Sequence, residues 1–282
     1  MKKLVVTGTI LLNKVVNENV KHMVIKAPEI ANLAEPGQFV HVKTLHSENF
    51  LRRPFSIADV DKNEGTITLI YRIVGKGTAE YSRLKEGEEF SILGPIGNGF
   101  KLKEGRPLLV GGGVGIAPLI YLSRLLKDQK PILLIGGKNK DEVFWEEYLK
   151  EYADKIYITT DDGSVGFKGF TIQLMPEILK ENNIDAIYTC GPNIMMEGVA
   201  KLAYEHDIDC QVSLEKRMAC GIGVCLGCTF VNREMLFWLA VLAYVLVVLL
   251  KVNSLKNVVK FAQKAQFLKL RRYFNEFICK DW

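Results

Sequence analysis

The spacing of apolar and polar positions divides the chain into two parts with different periods. Over residues 1–100, short apolar runs of strand length alternate with turn-rich pieces, and no convincing helical pattern separates most of them. The predicted strands are 2–10, 20–26, 38–44, 55–60, 66–73 and 88–93. Six short strands of this kind predict a small antiparallel β-barrel, and the glycine- and proline-rich segment 93–100 marks its end.

From about residue 106 the pattern changes to a regular alternation of strands and helices. The predicted strands are 108–110, 131–135, 155–160, 186–189 and 210–214, and the predicted helices lie near 117–127, 141–151, 171–181 and 193–205. Apolar strands separated by helices indicate a parallel sheet that is covered on both faces. The second part is therefore predicted to be a doubly wound α/β domain.

The C-terminal part has a third pattern. Residues 235–250 are sixteen consecutive apolar residues, fewer than the ~20 that cross a bilayer as a helix. Eight basic residues follow in 251–282, against only Glu276 and Asp281. A basic segment beside an apolar one would face the cytoplasm under the positive-inside rule. A membrane contact through 235–250 and a buried core helix both stay open.

Composition limits the function classes. The 282 residues suffice for about two domains, and 48% of them are apolar, as in ordinary globular proteins. The net charge of +5 belongs to the tail, so the main body is nearly neutral and nothing in it suggests nucleic-acid binding. The N-terminus shows no signal-peptide pattern, and half of the six cysteines lie in one loop. A cytoplasmic location and metal-binding thiols are therefore expected rather than disulfides.

That loop carries the most specific motif. Cys220, Cys225 and Cys228 have the spacing C-x4-C-x2-C, which is the plant-type [2Fe–2S] pattern without its distant fourth cysteine. Interleaved glycines let the backbone pass close to the inorganic sulfides of a cluster. The motif predicts a redox protein, because an iron–sulfur centre carries electrons one at a time. Buried or disulfide-bonded cysteines are the alternative.

Two motifs in the barrel suit a flavin dinucleotide. Arg53, Phe55 and Ser56 begin a predicted strand, and they could supply a cation for the pyrophosphate, an aromatic surface and a hydrogen-bonding group. The loop that contains Gly77 and Thr78 precedes a helical pattern, so that its backbone N–H groups could face an anion. An ordinary strand and an ordinary helix cap are the corresponding alternatives.

Three loops of the α/β part follow predicted strands. The first contains Gly112, Gly113 and Gly115, which allow close approach of a pyrophosphate but do not form the G-x-G-x-x-G fingerprint. The second contains Asp161 and Asp162; carboxylates there would repel a 2′-phosphate and favour NADH over NADPH, although a solvated acidic turn is an equal alternative.

The third loop begins with Cys190 and Gly191 at the end of the fourth predicted strand. Ligands of open α/β sheets bind beyond the carboxyl ends of the strands, so Cys190 is expected near a nicotinamide. A core cysteine is the alternative.

Taken in chain order, these motifs resemble those of the ferredoxin–NADP reductase superfamily. The closer resemblance is to the electron-transfer subunits of type B dihydroorotate dehydrogenases, whose signatures segments 93–100 and 215–223 resemble. The resemblance covers roughly residues 1–231. It implies an FAD-binding barrel at 1–100, an NAD-binding domain at 101–214, a [2Fe–2S] loop at 215–234 and an atypical apolar and basic tail at 235–282.

The resemblance also implies residue roles and partners. The residues expected to contact FAD are Arg53, Pro54, Phe55, Ser56, Ile70, Tyr71, Arg72, Gly77 and Thr78. NAD(H) would deliver two electrons, FAD would store them and the cluster would pass them singly to or from the FMN of a catalytic dihydroorotate dehydrogenase subunit. The expected assembly is a heterotetramer in pyrimidine biosynthesis. No acid–base catalyst is required, so no catalytic side chain is predicted.

The tail departs from this family. Members place the fourth cysteine a little over a dozen residues after the third, where this chain instead has its apolar segment. The last residues resemble the family's closing segment, which makes Cys279 the candidate fourth cluster ligand. An inserted hairpin, a replaced cluster domain and an error in the gene sequence are competing explanations. A related ferredoxin-dependent NADP reductase or sulfide dehydrogenase subunit, and a membrane-tethered non-catalytic redox module, are the alternative functions.

Overall fold

The computed structural model describes residues 3–43, 51–225 and 228. The first part is a closed barrel of six antiparallel strands with the order β1-β2-β5-β4-β3-β6. The strands are β1 (Leu4–Asn17), β2 (Val20–Lys26), β3 (Phe39–Val42), β4 (Arg53–Asp61), β5 (Thr66–Arg72) and β6 (Glu89–Ile96). Helix α1 (Pro28–Leu33) follows β2, and helix α2 (Lys76–Ser82) follows β5.

The barrel forms because alternate residues of its strands turn inward. Ile57 of β4, Leu69 of β5 and Ile92 of β6 are fully or almost fully buried in one apolar cluster. Strand β1 is longer than predicted because it pairs on both sides. Its first half pairs with β6 from Leu4 onward, and its second half pairs with β2 as far as Asn17.

The second part is a sheet of six parallel strands with the order β10-β9-β8-β7-β11-β12. The strands are β7 (Pro107–Gly112), β8 (Ile132–Gly137), β9 (Lys155–Thr160), β10 (Phe167–Lys168), β11 (Ala186–Cys190) and β12 (Asp209–Ser213). The helices are α3 (Ala117–Leu125), α4 (Glu146–Leu149), α5 (Thr171–Glu181) and α6 (Asn193–Glu205).

Both faces of this sheet are covered. Leu109 of β7 packs in a cluster with α3 and α4, whereas its neighbours Leu108 and Val110 pack on the opposite face with α5 and α6. Every residue of β7 is therefore buried, which is the reason that the strand reads as a continuous apolar run. The predicted barrel and doubly wound domain are confirmed.

Helix α3 joins the two parts. Arg124 of α3 donates two hydrogen bonds to Asp59 Oδ1 of β4, at 2.9 and 2.7 Å, and a third to the carbonyl of Val60. Ala58 and Ile70 of the barrel belong to the same apolar cluster as the buried face of α3. The barrel and the sheet consequently share one core.

The connection between the two parts is also fixed. The backbone N–H of Lys101 donates to Gln211 Oε1 at 2.8 Å, and Gln211 Nε2 donates to the Lys101 carbonyl at 2.7 Å. Tyr188 packs edge-on against Phe100, and its hydroxyl donates to the same carbonyl at 2.9 Å. These bonds anchor the connecting segment on β11 and β12.

Some details differ from the sequence prediction. Helix α1 and the two-residue strand β10 were not predicted, and the helix expected over 141–151 is reduced to α4 after a short 3₁₀ turn. Trp145, directly before α4, is completely buried, so this segment is held by packing rather than by a long helix.

No helix within the described part of the chain is long and apolar enough to cross a bilayer. Residues 235–250 and Cys279 lie outside the described residues.

The Arg124–Asp59 contact gives a test of the shared core. We expect Arg124→Ala to lower the free energy of unfolding by about 1 kcal/mol, because three hydrogen bonds of a half-buried guanidinium are lost. The control is Lys201→Ala, which removes an exposed i,i+4 pair with Glu205 and is expected to cost less than about 0.5 kcal/mol. Urea titration of both variants measures the difference, and equal losses would contradict the interpretation.

Candidate functional site

Two neighbouring cavities lie between the barrel and the carboxyl edge of the parallel sheet. The barrel-side cavity has a volume of about 440 Å³, and the sheet-side cavity has a volume of about 690 Å³. Five residues line both of them: Arg72, Val74, Gly112, Val114 and Pro192. The two cavities therefore share a wall.

The start of β4 and the end of β5 form the barrel-side wall. The lining residues that the sequence predicted are Pro54, Phe55, Ser56, Ile70, Tyr71, Arg72, Thr78, Gly112, Gly115, Cys190 and Gly191. Phe55 packs against Tyr71 and Tyr81, with ring centroids 4.9 and 5.4 Å apart. This aromatic cluster belongs to the barrel core, so Phe55 is held rigidly where it reaches the cavity.

The Tyr71 hydroxyl is an orphaned buried group. It has no hydrogen-bond partner among the described residues, and burial raises the pKa of the phenol far above its ordinary value. The group therefore stays protonated and is free to donate a hydrogen bond to a ligand. A polar edge of a ring system held against Phe55 and Tyr71 would satisfy it.

The loop before α2 positions Arg53. The backbone N–H groups of Val74 and Gly75 donate to Thr78 Oγ1, at 2.9 and 3.1 Å, which closes the turn. A Cβ on Gly77 would lie 2.9 Å from Nε of Arg53, so a side chain at this position would displace the guanidinium from the helix start. A cation beside backbone N–H groups is suited to a pyrophosphate.

The loops after β7 and β11 touch each other at the barrel-side cavity. A Cβ on Gly115 would lie 2.6 Å from Cα of Gly191 and 2.7 Å from the carbonyl oxygen of Cys190, and all three residues line that cavity. Gly113, which lines the sheet-side cavity, has a φ of +57°, in the left-handed region that favours glycine. The glycines therefore let the two loops pack closely at the carboxyl edge of the sheet, which is where ligands of such sheets bind.

The acidic loop contributes one carboxylate to the sheet-side cavity. Asp161 lines the cavity together with Thr159, whereas Asp162 does not. Asp162 is exposed and accepts a hydrogen bond from the backbone N–H of Ser164 at 2.9 Å, and bonds to Ser164 lower its carboxyl pKa. Asp162 thus shapes the turn, and Asp161 is the group that faces the cavity.

Three side chains that sequence reasoning missed complete the cavities. Glu215 lines the barrel-side cavity beyond the end of β12, and burial raises its carboxyl pKa. Glu142 lines the sheet-side cavity and accepts a 3.0 Å hydrogen bond from Nη2 of Arg72, which bridges the two parts of the chain. Phe170 adds an aromatic wall. The position of Glu215 directly after a predicted strand end was the signal that could have identified it as a residue of the site.

Cys190 is 2% exposed, and burial raises the pKa of its thiol to about 12. It is therefore a neutral thiol at the bottom of the barrel-side cavity rather than a nucleophile.

The cysteine loop follows β12 and lies against the outside of the barrel. Cys220 Sγ accepts a 3.5 Å hydrogen bond from the backbone N–H of Cys225, and backbone N–H groups of the loop lower the pKa of Cys220 to about 6. Cys228 is buried, and the described cysteines are free of disulfides. Cys220 is thus a stabilised thiolate in a loop with glycines at positive φ, whereas burial raises the pKa of the Cys228 thiol. Cysteine thiolates are the donors that an iron–sulfur cluster needs, so the chemistry of this donor set fits.

The fit is incomplete within the described residues. No group of three or more His, Cys, Asp or Glu side chains in residues 3–43, 51–225 and 228 converges closely enough to hold a metal ion. Residues 226 and 227, between Cys225 and Cys228, and the candidate fourth ligand Cys279 lie outside that part of the chain.

The fold and cavities define the class of protein. Residues 8–100 match the oxidoreductase FAD-binding domain family, and residues 109–201 match the oxidoreductase NAD-binding domain family. A solved NADH-dependent reduced ferredoxin–NADP oxidoreductase superposes with a TM-score of 0.71 at 34% identity, covering 78% of this chain and 80% of that one. A Neisseria gonorrhoeae ferredoxin–NADP+ reductase has a TM-score of 0.63 at 15% identity, covers 74% of this chain and 99% of that one, and shows the fold alone.

Curated relatives narrow the class. The chain is 40% identical to the dihydroorotate dehydrogenase B (NAD(+)) electron transfer subunit of Fusobacterium nucleatum, covering 75% of this chain and 84% of that protein. It is 42% identical to the subunit of the same name in Caldanaerobacter subterraneus, covering 71% of this chain and 78% of that protein. The chain therefore belongs to the family of dihydroorotate dehydrogenase B electron transfer subunits.

Gly75 and Gly77, in the loop beside the barrel-side cavity, provide a matched pair for testing the position of Arg53. We expect Gly77→Ala to weaken FAD binding by about tenfold, because the new methyl group would push Arg53 aside. Gly75→Ala is the control, since a Cβ there meets nothing within 4 Å. Fluorescence titration of the apoprotein with FAD measures both affinities. Equal affinities for the two variants would show that the position of Arg53 does not matter.

Proposed function

We propose that this chain passes electrons between NAD(H) and the FMN of a dihydroorotate dehydrogenase catalytic subunit, through FAD and a [2Fe–2S] cluster. The observation that carries the proposal is the shared wall of the two cavities. A nicotinamide above the strand ends and a flavin ring against β4 and β5 would meet at Gly112 and Val114, which line both cavities. Direct contact between the two rings is what hydride transfer needs.

The barrel-side cavity and the residues next to it suit FAD. The Tyr71 hydroxyl would donate to the ring system, Ser56 would lie beside it, and Arg53, which precedes the lining residue Pro54, would neutralise the pyrophosphate. Bound FAD would exchange a hydride with nicotinamide and pass electrons on singly, which is the chemistry that the protein itself lacks. Gly112 and Gly113 of the sheet-side cavity would hold NAD(H), and Gly115 and Gly191 would bring the loops after β7 and β11 together beside it.

Burial disfavours negative charge on two side chains of the barrel-side cavity. Cys190 is a neutral thiol, and Glu215 is a carboxyl whose pKa burial has raised. Both line the cavity in which the flavin ring would lie. Hydride transfer between a nicotinamide and a flavin needs no acid–base residue, so neither side chain is assigned a catalytic role in this proposal.

The cysteine loop would carry electrons outward. Lys3 Nζ donates to the Ile222 carbonyl at 3.5 Å, which ties the loop to the start of β1. Ile222 and Val224 are exposed at the tip of the loop, with 47% and 77% of their surface accessible. An apolar, exposed tip beside the cluster is suited to contact with the catalytic subunit.

The proposal includes the cluster ligands and the subunit assembly. Cys220, Cys225, Cys228 and Cys279 would be the cluster ligands, and the subunit would work in a cytoplasmic heterotetramer. Contact of residues 235–250 with a membrane stays a prediction about residues outside the described part of the chain.

A second candidate function rests on the solved relative. The 34% identical structure is described as an NADH-dependent reduced ferredoxin–NADP oxidoreductase, so a role with ferredoxin is the alternative. The two candidate functions can be distinguished by the electron donors and acceptors with which the protein reacts. We expect the purified chain, mixed with a dihydroorotate dehydrogenase catalytic subunit, to reduce NAD+ with dihydroorotate. Transfer to ferredoxin but not to the FMN subunit would favour the alternative.

The cluster ligands can be tested by serine substitution. We expect Cys228→Ser and Cys279→Ser each to remove most of the cluster's visible absorption and its EPR signal after reduction, because serine oxygen is a poor ligand for this iron centre. Cys210→Ser is the control, since Cys210 lies on β12 away from the loop. An unchanged spectrum for Cys279→Ser would exclude Cys279 as a ligand.

The acidic loop sets the expected coenzyme preference. We expect Asp161→Ala to reduce the preference for NADH over NADPH about tenfold, because a carboxylate in the sheet-side cavity repels a 2′-phosphate. Asp162→Ala is the matched control, being exposed and off the cavity. The ratio of kcat/KM values for flavin reduction by the two coenzymes measures the effect. A larger change in the Asp162 variant would reverse this assignment.

A further inference from the structure

His41 is a buried residue with no assigned role. It lies in the middle of β3, between Val40 and Val42, whose side chains belong to the barrel core. Successive side chains of a strand point to opposite faces, so His41 points out of the barrel. It is nevertheless 0% exposed.

The ring of His41 lacks hydrogen-bond partners. Neither Nδ1 nor Nε2 has one within the described part of the chain. An uncharged imidazole always carries one N–H donor, and leaving that donor unsatisfied in a buried position is energetically unfavourable. Such a donor is expected to face a group that accepts it.

The cysteine loop covers this ring. A Cβ on Gly221 would lie 2.4 Å from Nδ1 of His41 and 2.7 Å from its Cε1, so only a glycine lets the loop come this close. Gly221 also has a φ of +69° and directly follows Cys220. The Nδ1 edge of the imidazole therefore lies against the loop at Gly221, the residue that follows the first predicted ligand.

The strand beneath the loop is fixed in place. Nη1 of Arg52 donates to the His41 carbonyl at 3.2 Å and to the Ser91 carbonyl at 3.0 Å, and Nη2 donates to Ser91 Oγ at 2.9 Å. On the other side, Phe39 lies 5.9 Å from the imidazole centroid. His41 thus has little freedom to turn away from the loop.

We propose that the imidazole N–H of His41 donates a hydrogen bond to a sulfur atom of the [2Fe–2S] unit held by the cysteine loop. The proposal rests on the proposed cluster site. A hydrogen bond to sulfur stabilises the more negative, reduced form, so it raises the reduction potential of a cluster. His41 is a positioning and tuning residue: it neither ligates iron nor touches the flavin.

The test is an EPR-monitored redox titration of the protein loaded with FAD and the cluster. We expect His41→Leu to shift the cluster potential to a more negative value and to leave the FAD potential unchanged. His41→Asn places an amide N–H close to the position of Nδ1. We expect this variant to keep the cluster potential close to the wild-type value. His22→Leu is the control. His22 is also a shielded histidine, but its Nδ1 lies 3.2 Å from the Tyr148 hydroxyl, far from the loop in sequence.

Each result decides the proposal. An unshifted cluster potential in His41→Leu, or an equal shift in His22→Leu, would overturn it. If the leucine variant fails to assemble a cluster, the comparison passes to His41→Asn and His41→Gln. If the cluster potential of His41→Asn is closer to the wild-type value than that of His41→Gln, Nδ1 is supported as the donor. Equal negative shifts of the cluster potential in these two variants would overturn the proposal. Wild-type protein that binds FAD but no iron would overturn the cluster site itself, an outcome distinct from an unshifted potential.

Discussion

The packing of helix α3 against strand β4 is the constraint on which both cavities depend. The helix begins directly after the glycine loop of β7, and its last turn contains Arg124, which is bonded to Asp59 of the barrel. One short helix therefore connects the loop that would hold a nicotinamide coenzyme to the strand that would hold a flavin. Because the helix is nine residues long and buried along most of its length, the distance between the two cavities is set by rigid packing.

Charge is distributed unevenly between the two cavities. Cys190 and Glu215 line the barrel-side cavity, and burial raises the pKa of each side chain, which disfavours a negative charge there. Lys138, Asp161 and Glu142 line the sheet-side cavity, where the polar parts of a dinucleotide would bind. Arg72 lines both cavities and is bonded to Glu142, so the one cation at the described shared wall is paired with a carboxylate of the sheet-side cavity. Charged side chains in the sheet-side cavity would thus orient the dinucleotide by its phosphates.

Much of the architecture was predictable because the hydrophobic period differs between the two parts. Strand β9 and helices α5 and α6 have the predicted bounds, since each carries a complete apolar pattern between clear turn residues. Helix α1 was missed because its six residues, which begin with Pro28, are too few to show a helical period. The glycine and cysteine motifs identified the loops of the site. The contacts between Arg72 and Glu142 and between His41 and Gly221 could not be predicted, because they join residues far apart in the chain that only the fold brings together.

The register of β3 and β4 relates the flavin motif to the cysteine loop. His41 pairs with Pro54, and Phe39 pairs with Ser56. Paired residues of adjacent strands lie on the same face of a sheet, about 5 Å apart. Pro54 lines the barrel-side cavity, whereas His41 lies under Gly221 of the cysteine loop. One strand spacing thus separates the wall of the proposed flavin site from the seat of the proposed cluster. A flavin against Pro54 and a cluster held by the cysteine loop would therefore lie near the same pair of strands. The same pairing fixes the backbone of β3 that carries the imidazole against the loop.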